Sequence, residues 1–275
     1  MSAVSLHGRL AAVADLRIPT ASGDLPARHY TVTGAPAARF VWVHGGAFVL
    51  GDLDMAESDT TARRLADIGI EVLALDYRYA NARTHILDLC DDVQAGWLYA
   101  VSALGNGSPW HLGGASAGGC LVAGVAKRLR DEGQAVPRTL TLLYPVLHAG
   151  LPDPTPELAA RMEGVPPEWV YDNEAVRAFT SYAQGDAADT HPYAFPANGS
   201  LAGLPPVHLI VSELDLLRMS AELFAGQLTE DGVSFAYQVE PGAMHGHLER
   251  QVDDAGARSV RRIAGWLTSE AFWTA

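Results

Sequence analysis

Apolar positions along this chain come in short β-like runs separated by longer helical ones. Leu16 to Pro19 and Ala27 to Val32 alternate around the turn Ser22-Gly23-Asp24 and read as an antiparallel hairpin. Arg39 to Val43 follows as a buried strand, then a helix from Ser58 to Ile68 with Leu65 and Ile68 on one face. Glu71 to Asp76 is another strand. Ile86 to Ser102 is a helix whose apolar positions are Leu87, Leu89, Val93, Leu98 and Val101. An apolar segment from Trp110 leads into Gly114-Ala115-Ser116-Ala117-Gly118, followed by the helical run Leu121 to Arg130 and the strand Thr139 to Tyr144. After an interruption from His148 to Pro196 the alternation resumes: strand Val207 to Val211, helix Ser220 to Thr229, strand Phe235 to Val239, and one helix from His247 to Leu267. Strands alternating with helices predict one α/β domain over residues 1–275, its sheet mostly parallel and covered on both faces.

The interruption has its own composition, with seven prolines, many acids and a weakly helical middle, and it reads as an insertion over the sheet. At 275 residues and 48% hydrophobic content the chain can bury a large core. Its net charge of -13 argues against nucleic acid and against an anionic membrane surface. Met1 to Leu16 lacks the pattern of a secretory signal, and no apolar run is long enough to span a bilayer, so a cytoplasmic location is expected. Cys90 and Cys120 are expected as buried free thiols. The Asn-x-Ser triplets at Asn106 and Asn198 carry little weight without secretion.

Candidate chemistry lies just past the strands. In such a sheet the loops at the strands' carboxyl ends form the site. Ser116, His44-Gly45-Gly46, Asp215 and His245 all fall there. A serine hydroxyl needs a base, and the base needs an acid to fix its tautomer. Serine, acid, histidine is the chain order of the α/β-hydrolase fold, here Ser116, Asp215 and His245. Glu213 competes with Asp215, and His247 with His245; the Gly-x-x-His-Gly pattern favours His245. His44 reads as a residue that holds its loop, while His111, His148, His191 and His208 show no metal-ligand spacing.

Taken together, His44-Gly45-Gly46-Ala47-Phe48, Asp76-Tyr77-Arg78-Tyr79-Ala80, Gly114 to Gly119, Ser212 to Arg218 and Gly242 to Gly246 resemble the hormone-sensitive-lipase-like family of bacterial esterases. The resemblance spans about Phe40 to Leu267. It implies an α/β-hydrolase fold with a small cap at about 148–196 and a cofactor-free, metal-free serine carboxylesterase. Ser116 is the implied nucleophile, His245 the base and Asp215 its acid. Gly45, Gly46 and Ala117 are the implied oxyanion donors, and Phe48 a substrate contact. Met162, Trp169, Tyr171, Phe179 and Tyr182 are candidates for an acyl pocket or for packing of the insertion.

The chain departs from the family at Ala115, at Asn81-Ala82, at Leu216 and at His247, and only 43 residues precede His44, which predicts a reduced cap. The expected partner is a small ester with a short acyl chain; a homodimer is the assembly left open. An amidase or lactonase using the same triad, and a ligand-binding relative without turnover, are the rival readings.

Overall fold

The computed structural model describes residues 9–105, 107–250 and 254–269. One sheet of eight strands organises them: β1 (Leu10–Thr20), β2 (Gly23–Val32), β3 (Ala38–Val43), β4 (Ile70–Leu75), β5 (His111–Ala115), β6 (Leu140–Leu143), β7 (Val207–Leu214) and β8 (Phe235–Met244). Their spatial order is β1-β2-β4-β3-β5-β6-β7-β8. The β1–β2 hairpin joins β4 antiparallel, and every pairing from β4 to β8 is parallel.

The central strands bury both faces, which is why their sequence is continuously apolar rather than alternating. Along β3, Val41 and Val43 point into one core while Phe40 and Trp42 point into the other. β4 repeats the split, with Leu73 and Leu75 on the first side and Ile70, Val72 and Ala74 on the second. The first core is roofed by α2 (Ile86–Tyr99), α3 (Ala117–Asp131) and α6 (Arg218–Glu230). The second is closed by α1 (Thr61–Ala66) and α8 (Ala255–Leu267). A fully buried Leu, Val or Phe contributes about 1.5–3 kcal/mol, so the two layers fix the sheet firmly.

The expected elements are present, with instructive shifts. The expected helix at 58–68 is split: a π-helical turn, Ala56–Thr60, precedes α1. A second π-helical turn, Ala100–Leu104, ends the α2 segment. The single helix expected from His247 to Leu267 is two, α7 (His247–Arg250) and α8, with 251–253 between them outside the described residues. Its apolar periodicity runs across a break. β7 and β8 are longer than their apolar runs suggest because both continue to the residue that enters the site. Cys90 and Cys120 are buried and free, as expected.

The segment between β6 and β7 forms α4 (Pro156–Met162), a 3-10 turn (Pro167–Trp169) and α5 (Asn173–Gln184). Thr155 and Asp172 cap the two α-helices, accepting from the N–H groups of Leu158 and Ala175. Leu158, Met162 and Val165 make a small core with Leu214, Leu216, Met219 and Met244. Among the described residues no helix is long and apolar enough to cross a membrane. Asn106 and the first half of the stretch Met1 to Leu16, residues 1–8, lie outside the described residues. The Asn198 amide donates to the carbonyls of Asp189 and Phe195.

Candidate active site

Six parallel strands end at one edge of the sheet, and each hands over its next residue there. β3 delivers His44, β4 Asp76, β5 Ser116, β6 Tyr144, β7 Asp215 and β8 His245. Ser116 sits on the turn from β5 into α3 with φ 51° and ψ -116°. A β-carbon in that region costs about 1–3 kcal/mol, and the surrounding structure has to impose it. The imposition is visible in the glycines. A Cβ on Gly118 would stand 2.3 Å from the carbonyl oxygens of Val43 and His44, and one on Gly114 would meet Gly118 at 2.6 Å. Only glycine lets α3 lie this close to β3 and β5.

Ser116 Oγ lies 3.0 Å from His245 Nε2. His245 Nδ1 lies 2.7 Å from Asp215 Oδ2. The other Asp215 oxygen accepts the Leu217 N–H at 3.0 Å, which fixes the carboxylate at the start of α6. Asp215 is 1% exposed, whereas Ser116 and His245 are 8% and 7% exposed, so the chain of bonds runs from the interior outward to a cavity. The Tyr144 and Tyr171 rings stand edge-on to the His245 imidazole, centroids 5.0 and 4.8 Å away.

The competing residues have other work. Glu213 accepts from Arg161 of α4 at 3.0 Å and from the Gly242 N–H at 2.7 Å, tying the insertion to the sheet. His247 is buried between the hydroxyls of Ser212 and Ser259, at 2.9 and 2.8 Å. His44 holds its loop: Nδ1 lies 2.7 Å from the Gly45 carbonyl, Nε2 lies 3.3 Å from Asp76, and the ring stacks on Tyr77. The Tyr77 hydroxyl donates to the same carbonyl at 2.8 Å. The tyrosine-arginine motif is thus a brace for the glycine loop, anchored to α2 through the Arg78–Asp92 pair at 2.8 Å.

Two assignments are corrected. Gly45 was implied as an oxyanion donor, but its N–H is spent on the buried Glu57 carboxylate at 2.5 Å. The amides free to face Ser116 belong to Gly46 and Ala47, which line the cavity; neither has a hydrogen-bond partner among the described residues. Ala117 adds the unpaired N–H expected of a first helical residue. Phe48, implied as a substrate contact, is fully buried. Successive positive φ angles at Gly46, Ala47 and Phe48 turn its ring into the core, 6.2 Å from Phe179. It backs the cavity wall instead of forming it.

The cavity over Ser116 and His245 measures about 210 Å³ and is mostly apolar, walled by Trp169, Tyr171, Phe179 and Leu217. Of the other two aromatic or thioether candidates, Met162 is buried within the insertion and Tyr182 is 57% exposed. Sequence reading missed Glu57, Tyr144, Glu249 and Arg250. Tyr144 carried a usable signal, since it follows a strand end like the others. Glu57 carried none, because a buried acid just before a helical run looks like a solvated one. Its carboxylate accepts from Gly45 N–H and, at 2.6 Å, from the Tyr144 hydroxyl; both burial and this charge raise the Tyr144 pKa.

Comparisons with known proteins agree with this architecture. A family profile described as alpha/beta hydrolase fold matches residues 40–249. The chain is 32% identical to the carboxylic ester hydrolase LipN of Mycobacterium tuberculosis, over 86% of this chain and 64% of that protein. It is 29% identical to an ethyl acetate hydrolase of Pseudomonas putida, over 85% of this chain and 74% of that one. An esterase of Pyrobaculum calidifontis superposes with a TM-score of 0.83 at 30% identity, covering 98% of this chain and 88% of the other. An esterase described as a bacterial hormone-sensitive lipase family member superposes at 0.78 with 25% identity, over 94% and 84%. By sequence, sheet order and the placing of its motifs, the chain belongs to the α/β-hydrolase fold family, in its hormone-sensitive-lipase-like branch.

Proposed function

We propose that this chain is a serine carboxylesterase acting on small esters with short acyl chains. The observation that carries the reading is the continuous relay from Ser116 Oγ through His245 to Asp215, at 3.0 and 2.7 Å, opening into a cavity lined by unpaired amides. Ser116 attacks the ester carbonyl while His245 Nε2 takes its proton, and Asp215 steadies the imidazolium that forms. The N–H groups of Gly46, Ala47 and Ala117 receive the developing oxyanion; losing one such donor typically costs ~100- to 1,000-fold in rate. The alcohol leaves with the proton from His245, and water, activated by the same imidazole, releases the acid.

Cavity size supports the short-chain reading. The space over Ser116 is about 210 Å³. Residues 148–196 act as the cap, contributing Trp169, Tyr171 and Phe179 as the acyl wall. The name of the Pseudomonas putida relative, an ethyl acetate hydrolase, points the same way.

The test is a series of p-nitrophenyl esters from acetate to palmitate, run on the wild type and on Ser116→Ala. Each methylene accepted by the pocket contributes about 0.8 kcal/mol. kcat/KM is therefore expected to climb over about two to six carbons and then fall, with Ser116→Ala at background throughout. A maximum at twelve carbons or longer contradicts the short-chain assignment.

A further inference from the structure

Arg250, the last residue of α7, lines the same cavity as Ser116 and His245. Its guanidinium lies over the Trp169 ring, and Nη1 is 3.9 Å from the Met244 sulfur. Nε and Nη2 are shielded from water yet have no hydrogen-bond partner among the described residues. That is an expensive state: a guanidinium keeps its charge under nearly all conditions, and an unpaired donor on a charged group costs more than a neutral one. Burial lowers the Arg250 pKa, partly offset by Tyr171 and Asp215.

Among the described residues no neighbouring carboxylate pairs with it, Glu168 included. Glu57 is held by Gly45 N–H and the Tyr144 hydroxyl, Glu249 accepts the Glu57 N–H at 2.7 Å, and Asp215 serves His245 and Leu217. A cation with two unpaired donors therefore borders the small, mostly apolar cavity of the nucleophile; both donors lie under protein cover, so pairing with a ligand requires the guanidinium to turn outward over Trp169.

We infer that Arg250 recognises an anionic group on the substrate, so that the preferred esters carry a second, free carboxylate a few bonds from the scissile carbonyl. This rests on the esterase reading above and adds the substrate class to it: monoesters of short dicarboxylic acids, or acyl esters of small hydroxy acids. The planar guanidinium pairs with a carboxylate through two parallel N–H donors, and Trp169 is the face it rests on. A site built to bond a polar group rejects analogues that lack it, because its own buried donors are then left unpaired. The carboxylate belongs on the acyl side in the first substrate type and on the alcohol side in the second.

Two matched pairs separate those sources. Mono-p-nitrophenyl succinate against its methyl ester tests the acyl side; 4-acetoxybenzoate against its methyl ester tests the alcohol side. In the wild type the acid of one pair is expected to exceed its methyl ester by about tenfold to a hundredfold in kcat/KM, the range of a charge-assisted hydrogen bond. Arg250→Met should cut that ratio at least tenfold, and Arg250→Lys should recover part of it. Inhibition of the wild type by succinate, against succinamide, reads the same contact without a variant. Ratios at or below one in both pairs, or a ratio unchanged in Arg250→Met, overturn the inference. A chain that hydrolyses p-nitrophenyl acetate but ignores the carboxylate keeps its esterase assignment and loses only this role of Arg250. A chain that cleaves none of the esters loses the esterase assignment, and calorimetry of succinate binding to wild type and Arg250→Met still decides the arginine's part.

Discussion

His245→Ala removes the imidazole that reaches Ser116 Oγ, whereas His247→Ala removes one that links two buried serine hydroxyls. The first variant should lose kcat by about 10⁴-fold or more, and the second should lower stability while keeping most turnover. Asp215→Asn should likewise cost about 10⁴-fold, because the neutral amide stabilises the wrong tautomer, while Glu213→Gln loosens only the Arg161 contact. Steady-state kinetics with thermal melts on the four variants checks both contrasts; equal kcat losses within a pair would contradict the assignment. At this scale the sequence was most informative where a residue follows a strand directly. Ser116, Asp215 and His245 each do, and each stands in a short motif of its own. The glycine loop was harder. Which of three adjacent amides stays free depends on Glu57, twelve residues further on, and nothing in the local sequence marks that carboxylate as buried.

Elements meet closely only where glycine allows it, and the glycines of this chain divide by what surrounds them. Gly118→Ala would press a methyl into the carbonyls of Val43 and His44, separating α3 from β3 at the point where Ser116 is presented. Gly226 lies in the exposed middle of α6 with nothing within 4 Å of its notional Cβ. Gly226→Ala should raise stability by about 1 kcal/mol through helix propensity, and Gly118→Ala should abolish activity and lower the melting temperature sharply. Denaturant melts distinguish the two; a neutral Gly118→Ala would mean that α3 can back away from the sheet. Continuous apolar runs revealed the central strands because both faces of the sheet are covered, and period-3.6 spacing revealed the helices. They failed at 247–267, where apolar spacing continues across the break between α7 and α8, and at 58–68, where a π-helical turn shifts the start of the helix.

The whole molecule carries an acid sensitivity of its own. His111 and His208 are each 1% exposed, and burial pushes their pKa values down to about 3 and about 4. Because the folded state prefers both rings neutral, the unfolded chain binds more protons between the ordinary histidine value and these lowered ones. Their contribution is therefore complete above about pH 6.5 and declines as pH falls, by about 2 kcal/mol per ring at pH 5. Urea melts at pH 7.5 and pH 5 should show that decline, and His208→Gln should flatten it; a stability that is level across this range would contradict the burial of neutral imidazoles. The fold class itself was legible from the order of strands and helices. The cavity's wall was not, since Trp169, Tyr171 and Phe179 share a segment with Met162 and Tyr182, and only packing decides which face the cavity. The central claim is that this architecture brings residues 116, 215 and 245 together as one nucleophilic centre. An organophosphate inhibitor, followed by intact-mass and peptide spectrometry on wild type and His245→Ala, tests it most directly. One adduct per chain on Ser116, formed rapidly in the wild type and far more slowly in His245→Ala, is the expected result. An adduct on another serine, or equal labelling of both proteins, would contradict the account.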